Sequence, residues 1–292
     1  MGLIIYCNGA YVPEEEAKVS IFDHGFLYGD GIFEGIRAYH GRVFKLPEHL
    51  KRLYESAQSI RMDIGMPVEE MQEIVLETLR RNNLRDAYIR LVVSRGKGDL
   101  GLDPNNCPKA ATFCIADQIK LYPPSMYDEG LEVKTVAIRR NNPDSLNPRI
   151  KSLNYLNNIL AKIEAREAGV MEAIMLNQEG YVAECTGDNI FMVRNGVLYT
   201  PPIFVGILEG ITRNTVIEIA RKQGMEVREE LFTRHDLYTA DEIFLTGTAA
   251  ELIPVVKMDG RIVGKGVPGE VFKKLLTEFR EVTKIDGPEI FA

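Results

Sequence analysis

The amino-acid sequence predicts an α+β protein with two domains. Segments rich in β-branched and aromatic residues are joined by hairpin turns such as NQEG and RNG more often than by helices. This pattern argues against a doubly wound parallel sheet, which requires strands and helices to alternate. The chain has 292 residues, which is enough for two medium domains, and its 45% hydrophobic and 26% charged residues are typical of a globular protein.

The first predicted domain covers residues 1–117. Its helices are predicted over residues 47–60 and 67–83, where Pro47 and Pro67 suit the first helical turn and the second helix starts with acidic residues. The predicted strands of this domain cover residues 3–7, 31–39, 42–46, 87–95 and 110–116. The segment that follows, residues 118–130, contains two prolines and little periodicity, so we predict an interdomain linker.

The second predicted domain covers residues 131–292. Its helices are predicted over residues 153–168, 211–223, 234–240 and 268–282. Its strands are predicted over residues 131–138, 172–177, 181–184, 189–194, 197–200, 225–230 and 242–247.

Composition excludes several classes of protein. The net charge of −7 and the dispersed basic residues do not fit a nucleic-acid-binding surface, and no apolar run is long enough to span a bilayer. The N-terminal segment lacks the basic start of a signal peptide. The four cysteines form no C-x-x-C pair, which predicts free thiols in a reducing cytoplasm. The four histidines show no metal-ligand spacing, and no G-x-S-x-G motif is present, so we expect neither a metal site nor a serine hydrolase.

Residues 96–101, GKGDLG, match the dinucleotide-binding pattern G-x-G-x-x-G after a predicted strand. The next residues, LDPNNCPKA, cannot open a helix, so the helix N-terminus that would bind phosphate is missing. We therefore interpret this segment as a loop and reject nicotinamide binding.

Three other segments are candidate binding sites for a ligand. Two of them suit an anionic group, and the third suits a cationic ring. Gly210 precedes a predicted helix whose free amides, together with the Thr212 hydroxyl, could bind an anion, or could form a plain helix cap. Residues 245–251, LTGTAAE, place small residues in a turn that exposes backbone amides. Glu184 ends a strand among apolar residues, where a buried carboxylate needs a cation or donors, unless it turns to solvent.

Lys151 stands just ahead of a helix whose apolar stripe is predicted to face a core. Ser152 is its predicted N-cap and Gly169 its stop, and the stripe consists of Leu153, Leu156, Ile159, Leu160 and Ile163. A lysine at a helix entrance is commonly a surface residue. Taken with the three segments above, however, an amine that can form a Schiff base completes the set of groups that pyridoxal 5′-phosphate requires.

The sequence resembles the fold-type IV pyridoxal-phosphate aminotransferases over essentially its whole length. The family signature is matched in order between Glu184 and Arg213. The matching positions are Glu184, Thr186, Asn189, Ile190, Phe191, Leu198, Thr200, Leu208, Gly210, Ile211 and Arg213. Within the family, the segments YGDGIFEGIRAY and DAYIR look like the branched-chain amino acid aminotransferases. The resemblance implies the two-domain fold of the D-amino acid aminotransferase-like enzymes.

The resemblance implies how pyridoxal 5′-phosphate would be bound. Lys151 would form the Schiff base, and Glu184 would keep the pyridine nitrogen protonated. Tyr155, predicted to lie one helical turn after Lys151, would bond the phenolate oxygen of the ring. The phosphate would be bound by Arg52, by Gly210, Ile211 and Thr212 at the start of the helix predicted over residues 211–223, and by Thr248. Leu208 would pack on the face of the ring.

The resemblance also implies a substrate pocket. Tyr88 and the amides of Thr248 and Ala249 would bind the substrate α-carboxylate. Arg90 and Tyr28 would be available when the substrate is glutamate. The space for the side chain would be shaped by Tyr28, Phe33 and Gly35. Leu102, in the GKGDLG loop, would reach into the pocket of a neighbouring subunit, so the resemblance implies at least a homodimer.

Two departures leave alternatives to the branched-chain reaction. The KSLNY segment is one residue shorter than in several branched-chain enzymes and looks more like D-amino acid aminotransferases, and YGDG is shared with aminodeoxychorismate lyases. The loop SRGKGDLGLDP lacks the arginine–histidine carboxylate site of the D-specific enzymes. We therefore expect transamination of L-leucine, L-isoleucine and L-valine with 2-oxoglutarate by a ping-pong mechanism. A D-amino acid or (R)-amine aminotransferase, a lyase, and a non-enzymatic relative that only binds the cofactor remain the alternatives.

Overall fold

The structure is a computed structural model that describes residues 2–118, 122–123 and 125–291. The chain forms two compact units. Unit 1 comprises Met1–Ile119, Ile150–Asn154 and Thr283–Ala292, and unit 2 comprises Lys120–Arg149 and Tyr155–Val282. The predicted boundaries at 117 and 131 stay a prediction, and part of the predicted linker, residues 119–121 and 124, lies outside the described residues. The units differ from that prediction because residues 150–154 and 283–292 group with the N-terminal unit.

Unit 1 is built on an antiparallel sheet. Among its described residues the sheet has six strands in the order β2-β1-β6-β5-β3-β4. The strands are β1 (Ile4–Cys7), β2 (Ala10–Pro13), β3 (Gly31–Tyr39), β4 (Arg42–Val43), β5 (Ala87–Ser94) and β6 (Ala111–Asp117). The helices are α1 (His24–Tyr28), α2 (Leu46–Ser59) and α3 (Val68–Arg81), with short 3₁₀ turns at Glu14–Glu16 and Pro104–Asn106.

Helices α2 and α3 pack on the sheet of unit 1 through one apolar face each. On α2 the buried residues include Leu46, Leu50, Leu53 and Ala57, which recur at helical spacing. These two helices lie within one or two residues of the predicted ranges, so both predictions are confirmed. The GKGDLG segment lies between β5 and a three-residue 3₁₀ turn, as predicted for a loop.

Unit 2 contains a larger mixed sheet in the order β12-β11-β10-β13-β14-β7-β8-β9, with β15 paired to β14. Its described strands are β7 (Leu131–Thr135), β8 (Glu172–Leu176), β9 (Val182–Cys185), β10 (Asn189–Arg194), β11 (Val197–Thr200), β12 (Val227–Glu229), β13 (Glu242–Gly247), β14 (Glu251–Met258) and β15 (Arg261–Ile262). Its helices are α4 (Ser125–Glu129), α5 (Leu156–Glu167), α6 (Ile211–Lys222), α7 (Arg234–Tyr238) and α8 (Glu270–Thr283), with a 3₁₀ turn at Ile203–Val205.

The α+β class is confirmed by these two sheets. Parallel pairing is confined to β11 with β12, β7 with β14 and β7 with β8 among the described strands. Strand β14 has no counterpart in the sequence prediction. It contains Pro254, a residue that weakens a strand assignment from sequence, yet it lies fully within the sheet beside β13.

The prediction of Ser152 as the helix N-cap is wrong. Residues 151–153 pair with β3: the Phe33 amide donates to the Lys151 carbonyl at 2.9 Å, and the Leu153 amide donates to the Gly31 carbonyl at 2.8 Å. Helix α5 begins at Leu156, with Tyr155 as its N-cap. The segment before the helix uses its backbone groups in this pairing, so it cannot form the first helical turn.

The apolar stripe of α5 does not face a core within this chain. Leu156, Ile159, Leu160 and Ile163 are 61%, 51%, 42% and 48% exposed. The helix packs on β8 through its opposite face, where Ala161 and Ala165 are fully buried. The expectation of a buried stripe is therefore wrong for the single chain, because small residues rather than the large ones make the contact.

Within the described part of the chain, no helix has the length and apolar character required to cross a bilayer. All four cysteines are free thiols, as the sequence predicts, and Cys114 and Cys185 are buried.

Candidate active site

The Lys151 amine lies beside an aromatic ring in unit 1. Its Nζ is 4.7 Å from the centroid of Phe33, and the guanidinium carbon of Arg90 is 4.6 Å from the same ring. Both cations are thus attracted by the ring quadrupole. Lys151 is half-buried, and its amide donates to the Ser56 hydroxyl at 3.3 Å. Its backbone pairing with β3 places Lys151 next to Phe33.

Phe33, Gly35, Tyr88 and Arg90, four of the predicted substrate residues, are neighbours on strands β3 and β5. Gly35 lies opposite Arg90 in the sheet. A Cβ atom at Gly35 would lie 2.2 Å from the Tyr88 hydroxyl, so only glycine allows the tyrosine to lie over this strand. Arg90 Nη2 donates to that hydroxyl at 3.1 Å. The result is an aromatic wall with one guanidinium at its edge.

Tyr28 is the last residue of helix α1, and Leu102 lies in the loop that follows β5. The Tyr28 hydroxyl donates to the Leu100 carbonyl at 2.6 Å, and His24 bonds the Asp99 carbonyl through Nε2 at 2.9 Å. The loop that carries Leu102 is therefore tied to helix α1. Leu102 itself is 78% exposed, so its side chain projects away from this chain.

Arg52 is buried in an ion pair that the sequence analysis did not foresee. Its Nε and Nη2 each donate to Glu34 at 2.8 Å, and His49 Nδ1 lies 2.7 Å from the same carboxylate. Burial alone would raise the pKa of Glu34, but the Arg52 charge and these hydrogen bonds lower it to about 2. Burial also lowers the pKa of His49, and the charges of Arg52 and Lys151 add to that effect.

Glu184 lies in unit 2 at the end of β9 and is only 5% exposed. Its Oε1 accepts from Arg140 Nε at 2.7 Å. Its Oε2 accepts from Asn189 Nδ2 and from the Leu208 amide, each at 3.1 Å. A guanidinium and two neutral donors compensate the buried charge. Glu184 therefore stays fixed and does not turn to solvent.

Asn189 connects this carboxylate to the start of α6. Its Nδ2 also donates to the Leu208 carbonyl at 2.9 Å, and a Cβ atom at Gly210 would lie 2.0 Å from its Oδ1. Gly210 is the N-cap of α6 and provides no side-chain cap, while Thr212 in the first turn is buried. Backbone amides at such a helix start favour anions.

The turn between β13 and β14 is the second predicted anion seat. It consists of residues 248–250, between the paired residues Gly247 and Glu251. Glu251 has a positive φ of 59°, a conformation that costs free energy in a residue with a side chain. The turn that holds Thr248 and Ala249 is therefore built at a cost in backbone strain, as is common at functional sites.

Tyr155 is half-buried at the N-cap of α5. We expected helical spacing to place it on one face with Lys151. That reasoning is wrong, because the helix begins only after Tyr155.

Comparison with known proteins identifies the family. The amino-transferase class IV family matches residues 31–258. The chain belongs to this family. A Methanocaldococcus jannaschii protein provisionally named branched-chain-amino-acid aminotransferase is 57% identical over 98% of this chain and 99% of its own length.

Two solved structures of the T.th. branched-chain amino acid aminotransferase extend the likeness. The structure with pyridoxamine 5′-phosphate has a TM-score of 0.94 and is 41% identical, covering 99% of this chain and 96% of its own. The structure with N-(5′-phosphopyridoxyl)-L-glutamate has a TM-score of 0.92 at the same identity and coverage. These matches agree with the fold class that the sequence predicts.

The residues of this class IV aminotransferase suit pyridoxal phosphate, the cofactor of its family. Thr246 Oγ1 is buried and has no hydrogen-bond partner among the described residues, at the end of β13. A Cβ atom at Gly210 or Gly247 would lie 2.0 Å from a side-chain oxygen, that of Asn189 or Asp188, so only glycine fits at either position. An unpartnered hydroxyl, an uncapped helix start and a buried carboxylate are the kinds of group that a phosphate and a pyridinium need.

Two residues of this aminotransferase site were missed by the sequence analysis. Arg140, which pairs with Glu184, stands in a polar loop and gives no periodic signal. Asn189 was recognised only as a signature position. The requirement that a buried carboxylate has a cationic partner would have pointed to an arginine or lysine, but not to which one.

Proposed function

We propose that this protein is a branched-chain-amino-acid aminotransferase that uses pyridoxal 5′-phosphate and alternates between branched L-amino acids and 2-oxoglutarate. The nearly full-length match to the relatives described above carries the proposal. The geometry supports it, because an apolar wall with a cation at its edge suits both an aliphatic and an acidic side chain. Among the described residues, no structural feature favours the D-specific or lyase reactions over it.

Each end of the cofactor would be held by residues of this chain. We propose that Lys151 Nζ binds it covalently and that Glu184 stabilises the proton on the ring nitrogen. Arg140 supports this role, since its guanidinium keeps the Glu184 carboxylate in place. The phosphate would be bound by Arg52, Gly210, Ile211, Thr212 and Thr248, the ring face by Leu208, and the phenolate oxygen by Tyr155.

When bound, pyridoxal phosphate supplies an electron-withdrawing ring that delocalises the charge left at the substrate Cα. The residue that we assign as the base is Lys151, whose Nζ would take the Cα proton of the amino acid. The Phe33 ring lies beside this amine and restricts where it can lie. Lys151 would thus serve both half-reactions with one nitrogen atom.

The substrate would be oriented by its carboxylate. We propose that Tyr88 and the amides of Thr248 and Ala249 bind the α-carboxylate, and that Arg90 binds the side-chain carboxylate of glutamate. The Arg90–Tyr88 hydrogen bond keeps the guanidinium close to the aromatic wall. Tyr28, Phe33 and Gly35 would surround the aliphatic side chain.

A donor panel tests this function. Purified protein would be given 2-oxoglutarate with L-leucine, L-isoleucine, L-valine, D-alanine or an (R)-amine, and glutamate formation measured. We expect turnover with the three branched donors and parallel double-reciprocal plots, which indicate a ping-pong mechanism. Turnover mainly of D-alanine, or pyruvate release from aminodeoxychorismate without an acceptor, would contradict the proposal.

Lys151→Ala tests the assignment of the base. We expect turnover to fall by at least about 10³-fold, because both the covalent anchor and the base are lost. Lys51→Ala is the matched control, since Lys51 is an exposed lysine of the same unit. Equal activity in the two variants would disprove the role of Lys151.

We also propose that the protein is a homodimer or a larger homo-oligomer. Leu102 and the α5 stripe of Leu156, Ile159, Leu160 and Ile163 expose large apolar side chains that monomers rarely leave in water. The stripe has the helical spacing of an interface helix. Light scattering with Ile159→Glu should show loss of assembly, whereas Ile262→Glu, at another exposed isoleucine, should not.

We place the protein in the cytoplasm, because its thiols suit a reducing compartment. Burial raises the pKa of Cys114 to about 12, so this thiol is unreactive, whereas Cys7 and Cys107 are half-buried. Cell fractionation tests this location.

A further inference from the structure

Asp188 is a buried carboxyl group that the proposed mechanism does not use. It is 6% exposed and lies between β9 and β10. The Tyr122 hydroxyl is 3.3 Å from its Oδ2 and also 3.3 Å from Glu172 Oε2. A hydroxyl has one proton, so it can donate to only one of the two carboxyl groups at a time.

The two carboxyl groups differ in their other partners. Glu172 accepts from Lys162 Nζ at 2.8 Å, from the Thr186 amide at 2.9 Å and from the Thr186 hydroxyl at 2.6 Å. Among the described residues no cation forms an ion pair with Asp188. All of these groups are satisfied when Asp188 is protonated and donates to the Tyr122 oxygen, while Tyr122 donates to Glu172.

The other oxygen of Asp188 lies against the candidate anion seat. A Cβ atom at Gly247 would lie 2.0 Å from Asp188 Oδ1, so the carboxyl group packs directly on the residue that opens the turn. Residues 248–250 follow at once and return the chain to β14. The position of this turn therefore depends on the Asp188 side chain.

We propose that Asp188 is a positioning residue for the Gly247–Ala249 turn: its neutral form supports the turn, and its ionised form weakens carboxylate binding there. The inference rests on the proposed transamination, in which this turn binds the substrate α-carboxylate. The ionised Asp188 carboxylate next to the turn would repel an anion bound there. Because the carboxylate is buried, this Coulomb repulsion would be stronger than in water.

The charged and titratable groups around Asp188 favour its neutral form. Its pKa is raised to about 7, first by burial, next by the charge of Glu172 and to a smaller extent by that of Glu184. The Lys162 charge and the Tyr122 hydrogen bond act in the opposite direction. The group thus changes charge within the pH range in which an enzyme of this kind is assayed.

The test compares Asp188→Asn with the wild-type holoenzyme between pH 6 and about 8.5. Asparagine resembles the protonated carboxyl group but cannot ionise. For the wild type we expect KM for 2-oxoglutarate to rise with pH on the order of tenfold, with kcat nearly constant. In the variant, KM should stay flat. Asp259→Asn, which changes a carboxylate bonded to Thr135 and Tyr238, should keep the wild-type profile.

A second readout is independent of catalysis. Because the folded pKa of Asp188 is raised, the wild type loses stability as pH rises from the unfolded pKa toward about 7. The melting temperature of Asp188→Asn relative to wild type should therefore rise over that range, on the order of 5 °C. If Asp188→Asn does not fold, Tyr122→Phe should shift the rise in KM to higher pH, since it removes a donor to the ionised form.

The outcomes separate the two proposals. An active enzyme whose KM profile is the same in wild type and Asp188→Asn overturns the positioning role and leaves the transamination intact. A melting-temperature difference that is independent of pH also overturns it. A wild type that turns over none of the donors overturns the proposed function, and the melting curves still decide whether Asp188 titrates.

Discussion

Glu34 in unit 1 and Asp188 in unit 2 are both buried carboxyl groups, yet their pKa values are displaced in opposite directions. Glu34 is paired with the Arg52 guanidinium, which lowers its pKa to about 2. Asp188 has a tyrosine hydroxyl at 3.3 Å as its partner, and its pKa is raised to about 7. Burial opposes ionisation in both places, so the presence of a cation in contact decides which form is stable.

Removal of the cation beside Glu34 should have the largest effect on stability. Arg52→Met leaves a charged carboxylate without its main partner in the interior, and we expect the free energy of unfolding to fall by about 3–5 kcal/mol. Urea denaturation at pH 7 measures this. Adding Glu34→Gln to the variant should restore part of the loss, because the orphaned charge is then gone. No recovery in the double variant would contradict this explanation.

The pH dependence of stability should distinguish the two carboxyl groups next. The pKa of Glu34 falls from 4.5 to about 2 on folding, so its contribution is present above the unfolded pKa and is lost as pH falls through about 2. The loss should reach about 3 kcal/mol. Urea denaturation between pH 5 and about 2.5 measures this loss. As pH decreases, the free energy of unfolding should fall less steeply for Glu34→Gln than for wild type. Asp188 should show the opposite sign, losing stability as pH rises.

The fold class, most helices and the signature positions between Glu184 and Arg213 could be predicted from the sequence, because they depend on local patterns. The Lys151 segment shows where such reasoning ends. Its helical periodicity suggested a helix from Leu153, but residues 151–153 bond to β3, more than a hundred residues earlier. A competing partner so distant in sequence leaves no trace in the local pattern.

The interior of the candidate site shows a related limit. The sequence indicated that the buried charge of Glu184 needs a cation or hydrogen-bond donors, yet only the structure identifies them as Arg140 and Asn189. Likewise, periodicity identified the apolar stripe of α5 but not whether this chain covers it. Both questions concern which of several chemically suitable partners lies nearby, and a single sequence does not contain that information.

Arg140→Met should make Glu184 resemble Asp188. Two neutral donors, from Asn189 and the Leu208 amide, would remain, so the expected loss in the free energy of unfolding is about 2 kcal/mol, smaller than for Arg52→Met. Arg149→Met is the matched control, because its side chain is 58% exposed and its Glu209 partner is partly solvated. A control variant as destabilised as Arg140→Met would mean that lost packing, rather than the buried pair, explains the effect.

The smallest change in the free energy of unfolding is expected for a substitution at Lys51. This residue is the sequence neighbour of Arg52, where the largest change is expected. Lys51 precedes Arg52 on α2 and lies 3.9 Å from Glu55, with side chains 76% and 58% exposed. Lys51→Ala should change the free energy of unfolding by no more than about 0.5 kcal/mol, because water already solvates both charges. Urea denaturation in parallel with Arg52→Met measures it. The two residues share a helix and a charge, so a large effect at Lys51 would show that charge on α2, and not burial beside Glu34, sets the stability of this unit.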